Sequence, residues 1–179
     1  AVERKLSELE GGEESVLFAS GMCAATTTFL ALLPSGSHLI VTNDCYRRTR
    51  QFIEEYLERM GVEVSIIEPS NLSAFEAAIQ ENTAIFFTES PTNPYLRVTD
   101  VSAFSEVAKA NNVKLIMDST FATPVNHRTL EEGADLVIHS ATKYLAGHND
   151  LLAGTVTGSQ AIVDPIRKAL GVLGGIIDS

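Results

Sequence analysis

Short apolar runs alternate with longer amphipathic stretches along the whole chain. The apolar runs predict strands, and they lie at residues 15–19, 38–42, 62–67, 84–88, 113–118 and 136–139, with a further strand, at an edge or running in the return direction, at 152–157. Apolar residues at helical spacing predict helices at 22–33, 46–60, 71–80, 101–110 and 161–170. This alternation predicts an α/β fold with three layers, in which a mostly parallel sheet carries helices on both faces.

No repeat, low-complexity segment or shift in composition divides the chain, so we predict one domain over residues 1–179. Leu6 and Leu9 lie on one face of a helix in which the chain begins, and the sequence stops abruptly at Asp178-Ser179. We therefore expect a domain that is truncated at both ends.

The composition predicts a packed protein with an acidic surface. Hydrophobic residues make up 45% and charged residues 20% of the chain, which is typical of a globular domain. Lys and Arg total 13 against 23 Asp and Glu, which gives a net charge of −10, and no basic stripe is present. A nucleic-acid partner is therefore not expected.

The cysteines, the apolar runs and the histidines bear on the compartment, on membrane association and on metal binding. Two cysteines, Cys23 and Cys45, indicate a reduced, intracellular protein, and we expect the cytoplasm, or a plastid if a transit peptide was lost upstream. No apolar run is long enough to span a membrane, so no membrane partner is expected. The histidines form no metal-ligand pattern, and no metal site is predicted.

Candidate chemistry follows the predicted strands, because ligands of such sheets bind at the carboxyl ends of the strands. Gly21 follows the first strand and precedes a helix, which suits a phosphate but also an ordinary tight turn. Asp118 ends another strand, where it is a helix cap or the partner of a protonated ring nitrogen. Lys143 lies between Ser140 and Thr142 after a third strand, and it is either a surface charge or a nucleophile.

Other nucleotide and hydrolase motifs are missing from the sequence. It contains no GxGxxG after a strand, no GxxxxGK[ST] and no GxSxG. A phosphate-binding turn, a strand-end carboxylate and a strand-end lysine are what pyridoxal phosphate requires, for its phosphate, its pyridine nitrogen and its aldehyde.

At these residues the chain resembles the Cys/Met-metabolism family of fold-type I pyridoxal-phosphate enzymes, and the resemblance runs from end to end. Its most specific segments are Ser140-Ala141-Thr142-Lys143-Tyr144 and Gly147-His148-Asn149-Asp150. The supporting segments are Ser20-Gly21-Met22, Glu89-Ser90-Pro91-Thr92-Asn93-Pro94 and Asp118-Ser119-Thr120-Phe121-Ala122-Thr123-Pro124. Within the family it is most similar to cystathionine γ-synthase of the plant-like type, at residues 44–50, 87–94 and 147–154.

The resemblance implies roles for the residues that react with or hold the cofactor ring. Lys143 would bond to the aldehyde of pyridoxal 5′-phosphate and then carry protons. Asp118 would pair with the pyridine nitrogen, which keeps the ring an electron sink. Tyr46 would stack on the ring and assist proton transfer, unless it is only a helix-start residue packed on the core. Asn93 would lie near the 3′-oxygen of the ring.

The resemblance also implies a phosphate site and a cofactor-binding segment. The backbone of Gly21 and Met22 and the hydroxyls of Ser140 and Thr142 would hold the phosphate, and Thr120 belongs to the same cofactor-binding set. Family members complete this site with a Tyr and an Arg from an upstream segment of the neighbouring subunit, and they carry a C-terminal domain with an Arg for the substrate carboxylate. Both parts would lie outside residues 1–179, and a homodimer or homotetramer is expected.

The implied reaction is γ-replacement of an activated homoserine by cysteine, which gives cystathionine in methionine biosynthesis by transsulfuration. A cystathionine or methionine γ-lyase, or a β-lyase, of the same family is the alternative. From another class, the chain is a non-catalytic folded fragment that needs the missing segments or a partner chain. A dinucleotide-binding oxidoreductase is disfavoured, because the glycine fingerprint is missing.

Arg47, Arg48 and Arg50 are expected to be solvated charges, with an anionic substrate as the alternative partner.

Overall fold

The computed structural model describes residues 1–177, which form one seven-stranded sheet in the order β1-β7-β6-β5-β4-β2-β3. The strands are β1 (Glu14–Phe18), β2 (His38–Thr42), β3 (Glu63–Ile67), β4 (Thr83–Glu89), β5 (Lys114–Asp118), β6 (Leu136–His139) and β7 (Gly154–Gly158). The helices are α1 (Val2–Glu10), α2 (Gly21–Leu32), α3 (Arg47–Phe52), α4 (Leu72–Ala78), α5 (Val101–Ala110), α6 (Thr123–Asn126) and α7 (Gln160–Leu173). None of these helices is long and apolar enough to cross a membrane.

Strands β3, β2, β4, β5 and β6 are parallel, and β7 runs antiparallel between β6 and β1. The strand predicted to lie at an edge or to run in the return direction is β7, which runs in the return direction and lies inside the sheet. His139 of β6 lies opposite Thr155 on one side of β7, and Glu14 of β1 lies opposite Gly158 on the other. Because β1 is antiparallel to β7, it points in the same direction as β6. The carboxyl ends of β1 and β6 therefore meet at one edge of the sheet.

Two apolar cores cover the two faces of the sheet, and this confirms the three-layer prediction. Adjacent residues of a strand point to opposite faces, so Phe87 of β4 packs under α2 while Phe86 packs under α4 and α5. The ring of Phe86 lies 4.4 Å from that of Phe75 in α4 and 5.2 Å from that of Phe104 in α5. On the other face, Phe87 meets Phe29 of α2 edge-to-face at 5.2 Å.

Two helical segments differ from the prediction. The segment 46–60 is not one regular helix, because α3 continues as a wide π turn over Ile53–Leu57 and a 3-10 turn over Glu58–Met60. Ile53 and Leu57 are both fully buried, so the apolar spacing identified the buried face but not the hydrogen-bonding pattern. Helix α6 has only four residues and offers too short a pattern to be predicted.

Candidate active site

A cavity of about 580 Å³ lies at the carboxyl ends of β1, β4, β5 and β6. Every residue that the sequence analysis assigned to the cofactor lines this cavity, namely Gly21, Met22, Tyr46, Asn93, Asp118, Thr120, Ser140, Thr142 and Lys143. These residues come from separate loops, and the parallel direction of their strands brings the loops to the same edge.

The amino end of α2 forms one wall of the cavity. The hydroxyl of Ser20 accepts a hydrogen bond from the Cys23 N–H at 3.1 Å and caps the helix. The N–H groups of Gly21 and Met22 belong to the first turn, have no hydrogen-bond partner among residues 1–177, and lie beside the cavity. Free N–H groups and the positive end of the helix dipole attract a phosphate.

The turn before α2 packs so closely on its neighbours that it requires glycine. A Cβ atom on Gly21 would lie 2.7 Å from the Cβ of Ser140. A Cβ atom on Gly154, at the start of β7, would lie 2.2 Å from the carbonyl oxygen of Ser20. These contacts fix the turn after β1 against the loop after β6, and they place the start of α2 beside Ser140.

Asp118 ends β5 and has one oxygen held by the protein and one without a protein partner. Its Oδ1 accepts from the N–H of Thr120 at 3.0 Å and from the Thr120 hydroxyl at 2.6 Å. Its Oδ2 has no hydrogen-bond partner among residues 1–177, in a position that lines the cavity. Burial raises the pKa of Asp118, and this is opposed by the two bonds from Thr120 and by nearby His139.

The loop after β6 carries Lys143 at the cavity wall. The Lys143 N–H donates to the Ser140 carbonyl at 3.0 Å, in a tight turn, and the side chain is exposed in the isolated chain. Within the described residues, its amine has no salt-bridge partner. The Lys143 amine is therefore available to a ligand.

Thr142 is held differently from Ser140. Its hydroxyl donates to the carbonyl of Ala153 at 3.1 Å and accepts from the Ala153 N–H at 2.9 Å. The single hydroxyl proton of Thr142 is thus already used, whereas the Ser140 hydroxyl has no hydrogen-bond partner in residues 1–177. A phosphate in this cavity could accept a hydrogen bond from the Ser140 hydroxyl without breaking another one. To accept one from the Thr142 hydroxyl, it would have to displace the Ala153 carbonyl.

Tyr46 and Asn93 also line the cavity. Tyr46 precedes α3, its side chain is 42% exposed, and it is therefore not a packed core residue. Two contacts join its loop to the loop that carries Asn93: Glu89 Oε2 accepts from the Tyr46 N–H at 2.8 Å, and the Thr92 hydroxyl donates to Asp44 Oδ2 at 2.9 Å.

Glu89 lines this site as well, but the sequence analysis gave it no role beyond its place in the segment from Glu89 to Pro94. It ends β4, lies directly opposite Asp118 in the β4–β5 ladder, and is almost fully buried. Burial, with a smaller effect of the neighbouring Asp118, raises the pKa of Glu89 to about 9. The sequence does contain a sign of this role, because a carboxylate stands at the end of a buried strand at Glu89 as it does at Asp118. The strand before Glu89 was predicted to end at residue 88, one residue too early.

Further lining residues were not singled out either; they are Thr49, Phe121, Tyr144, Gly147, Asn149 and Leu152. The arginines near Tyr46 do not line this cavity. Arg50 bonds the Asn43 carbonyl and Glu54, and Arg48 bonds Gln51. All three arginines border a separate, more open cavity of about 780 Å³ that shares Tyr46 and Asn93 with the first.

Comparison with known proteins identifies the group to which this site belongs. The chain is 48% identical over 178 residues to cystathionine γ-synthase 1, chloroplastic, of Arabidopsis thaliana, covering 99% of the chain and 32% of that protein. It is 40% identical over 178 residues to cystathionine γ-lyase of Bacillus subtilis, covering 99% of the chain and 47% of that protein. The crystal structure of metB from Corynebacterium glutamicum superposes with a TM-score of 0.95 at 36% identity, over 98% of the chain and 46% of that protein.

The chain thus spans between about a third and a half of the length of these relatives. The model of the Cys/Met metabolism PLP-dependent enzymes matches residues 1–179. The resemblance carried by the motifs around Lys143 and Asp118 is confirmed, and the family's cofactor is pyridoxal 5′-phosphate. The chain belongs to the Cys/Met metabolism PLP-dependent enzyme family.

Proposed function

We propose that residues 1–179 are the cofactor-binding large domain of an enzyme that replaces the γ-substituent of an activated homoserine by cysteine, which gives cystathionine. The observation that carries this proposal is the convergence of all the predicted cofactor-binding residues on one cavity. Similarity to a cystathionine γ-synthase at 48% identity supports the synthase reaction over the lyase reactions, for which the relative named above is 40% identical.

The cavity fits pyridoxal phosphate in three respects. The free N–H groups of Gly21 and Met22 and the free hydroxyl of Ser140 suit a phosphate. The unpartnered Oδ2 of Asp118 suits a protonated ring nitrogen, which would offset the raised pKa of this carboxyl by a charge-assisted hydrogen bond. The unpaired amine of Lys143 suits an aldehyde.

When bound, the cofactor withdraws electrons from the substrate and so makes its Cα and Cβ protons removable. Lys143 is the residue whose amine can take a proton from Cα, return that proton to the bound molecule at another atom, and then take a proton from Cβ, because it is the base that lines the cavity and bears no salt bridge in residues 1–177. Departure of the γ-substituent leaves an unsaturated carbon skeleton to which the cysteine thiol adds. Tyr46 has the exposed ring that can stack on the cofactor and exclude water from one side.

Binding of the substrate carboxylate and completion of the phosphate site are proposed to require parts outside residues 1–179, in a homodimer or homotetramer. For the compartment we propose the cytoplasm, or a plastid, as in the chloroplastic relative.

The test is an assay of the full-length protein with cysteine and an O-activated homoserine, with cystathionine measured as the product. Cystathionine formation that is lost in Lys143→Arg is the expected result. Release of ammonia and a keto acid from cystathionine, without synthesis, would replace the synthase by a lyase. A folded protein that stays colourless with added cofactor would favour the non-catalytic alternative, and borohydride reduction with peptide mapping would show whether Lys143 carries the cofactor.

A further inference from the structure

We propose that Glu89 is a positioning residue of this site, whose carboxyl group holds the backbone of Tyr46 and thereby fixes the Tyr46 ring over the cofactor. The inference rests on the proposed cofactor site, but it is independent of whether the reaction is synthesis or cleavage.

The first argument is the place of Glu89 in the fold. Its Oε2 accepts a hydrogen bond from the Tyr46 N–H at 2.8 Å, and the residue lies opposite Asp118 in the β4–β5 ladder. One side chain therefore joins the loop that carries Tyr46 to the strand end that carries Asp118. Because Asp118 is proposed to bind the ring nitrogen, Glu89 sets the distance between that nitrogen and the tyrosine ring.

The second argument is that, within residues 1–177, the only other hydrogen bond of Tyr46 is the helical one that its carbonyl accepts from the Arg50 N–H at 3.1 Å. Tyr46 precedes α3 without a side-chain cap, and its ring is 42% exposed, so core packing does not fix the ring. The neighbouring contact from Thr92 to Asp44 joins the same two loops, but it holds the chain two residues before Tyr46. The hydrogen bond to Glu89 is made by the Tyr46 backbone itself.

The third argument concerns the chemical form of Glu89. The ionisable groups that face it are Asp118 on β5 and Asp44 and Cys45 on the loop after β2, and Lys143 lines the same cavity. Burial and Asp118 raise its pKa, and the N–H groups of Tyr46 and Asn93 only partly oppose this. The raised pKa favours the neutral acid form of Glu89, which accepts a hydrogen bond through its carbonyl oxygen and is not suited to take up a substrate proton. This assigns it to positioning rather than to base catalysis.

The experiment uses the full-length, cofactor-loaded protein with three substitutions at one position. Glu89→Gln keeps the length and a neutral oxygen acceptor, Glu89→Asp shortens the side chain by one methylene, and Glu89→Met keeps the length but has no oxygen. Visible circular dichroism of the bound cofactor reports how the ring is held, and absorbance titration gives the cofactor Kd. Glu76→Gln, on the exposed face of α4, is the matched control.

We expect Glu89→Gln and Glu76→Gln to keep the dichroism and the Kd of the unsubstituted protein. Glu89→Asp and Glu89→Met are expected to lose most of the visible dichroism and to raise the Kd about tenfold, the effect of losing one good hydrogen bond. The proposal is overturned if Glu89→Asp and Glu89→Met leave both the dichroism and the Kd unchanged. It is also overturned if Glu89→Gln loses dichroism and affinity as they do, because that result would mean that a charged carboxylate is required. If the full-length protein proves to be a lyase while the Glu89 variants behave as expected, the proposed synthase reaction fails but the role of Glu89 stands.

Discussion

The Thr120 hydroxyl donates a hydrogen bond to Asp118 Oδ1 at 2.6 Å and accepts one from the Ser140 N–H at 2.9 Å. This one oxygen connects the carboxyl end of β5, where the ring nitrogen is proposed to bind, with the loop after β6, where the phosphate is proposed to bind. The two ends of a bound cofactor would therefore be held at a spacing that Thr120 sets.

Replacing Thr120 by Val removes this hydroxyl while keeping the shape of the side chain. We expect the cofactor Kd to rise about tenfold and the free energy of unfolding to fall by about 1–2 kcal/mol, because the Ser140 N–H loses its partner. Thr120→Ser keeps the hydroxyl and should restore both values. Cofactor titration and urea unfolding measure them, and equal values for Val and Ser would contradict the role given to the hydroxyl.

Replacing Lys143 by Arg keeps a positive charge but removes the primary amine. The exposed side chain bonds no other group in residues 1–177, so the free energy of unfolding should change by less than about 0.5 kcal/mol. Covalent labelling by cofactor and borohydride should be lost completely. Mass spectrometry of peptides from the reduced protein measures this, with Lys114→Arg, at the exposed start of β5, as the control. Labelling at another lysine would contradict the assignment.

Replacing Gly154 by Ala introduces a Cβ atom 2.2 Å from the Ser20 carbonyl oxygen. Because that atom is backbone and cannot rotate away, we expect a loss of about 1–3 kcal/mol in unfolding free energy and weaker cofactor binding. Gly171→Ala, on α7, meets nothing within 4 Å and should instead stabilise the protein by about 0.5–1 kcal/mol. Urea unfolding of both variants tests the difference, and a shift of the same sign in both would contradict it.

The raised pKa of Glu89 predicts a pH dependence of stability. Between its ordinary value of 4.5 and about 9, the folded protein holds a proton that the unfolded chain has released. Stability from this group therefore falls as the pH rises through that window. Glu89→Gln carries no such proton, so its stability relative to the unsubstituted protein should increase from pH 5 to pH 9. Urea unfolding of the cofactor-free proteins measures this, and a constant difference would place the pKa of Glu89 near 4.5.

Glu10 and His139 form a buried pair at 2.5 Å that joins α1 to β6. Glu10 Oε2 and His139 Nδ1 have no partner within residues 1–177. Glu10→Leu or His139→Phe alone should destabilise the protein by about 3–5 kcal/mol, and the double variant should recover much of this loss. Removing the exposed pair Arg4–Glu8 should cost under about 0.5 kcal/mol. Additive losses in the double variant would contradict a coupled pair.

The meeting of the site residues could be predicted because the carboxyl ends of parallel strands lie at the same edge of a sheet. Once Asp118 and Lys143 follow successive strands of such a sheet, both must lie at its carboxyl edge, and in the structure both line the same cavity. The interior place of β7 was not predictable in this way. Its sequence of glycine, threonine and valine suits an edge as well as an interior strand, and only the pairing with β1 and β6 decides.

Contacts between segments that are distant in the sequence could not be predicted either. Glu10 and His139 are separated by 129 positions, and no local pattern relates them. Glu89 escaped notice because its importance lies in the register that sets it opposite Asp118 and in the backbone N–H that it accepts from Tyr46. Periodicity identifies which residues are buried, but it does not say which buried polar groups meet.

The pairing of β1 with β7 also constrains the order in which the protein can form. Strand β1 has β7 as its only neighbour in the sheet formed by residues 1–177, and the two strands join residues 14–18 to residues 154–158. Closing so long a loop costs entropy, so local β-α units can condense before this contact. During synthesis, the turn at Gly21 can pack against Gly154 only after the chain has emerged from the ribosome beyond residue 154. Cofactor binding at the proposed site would therefore wait for this long-range contact, which comes after the local β-α units.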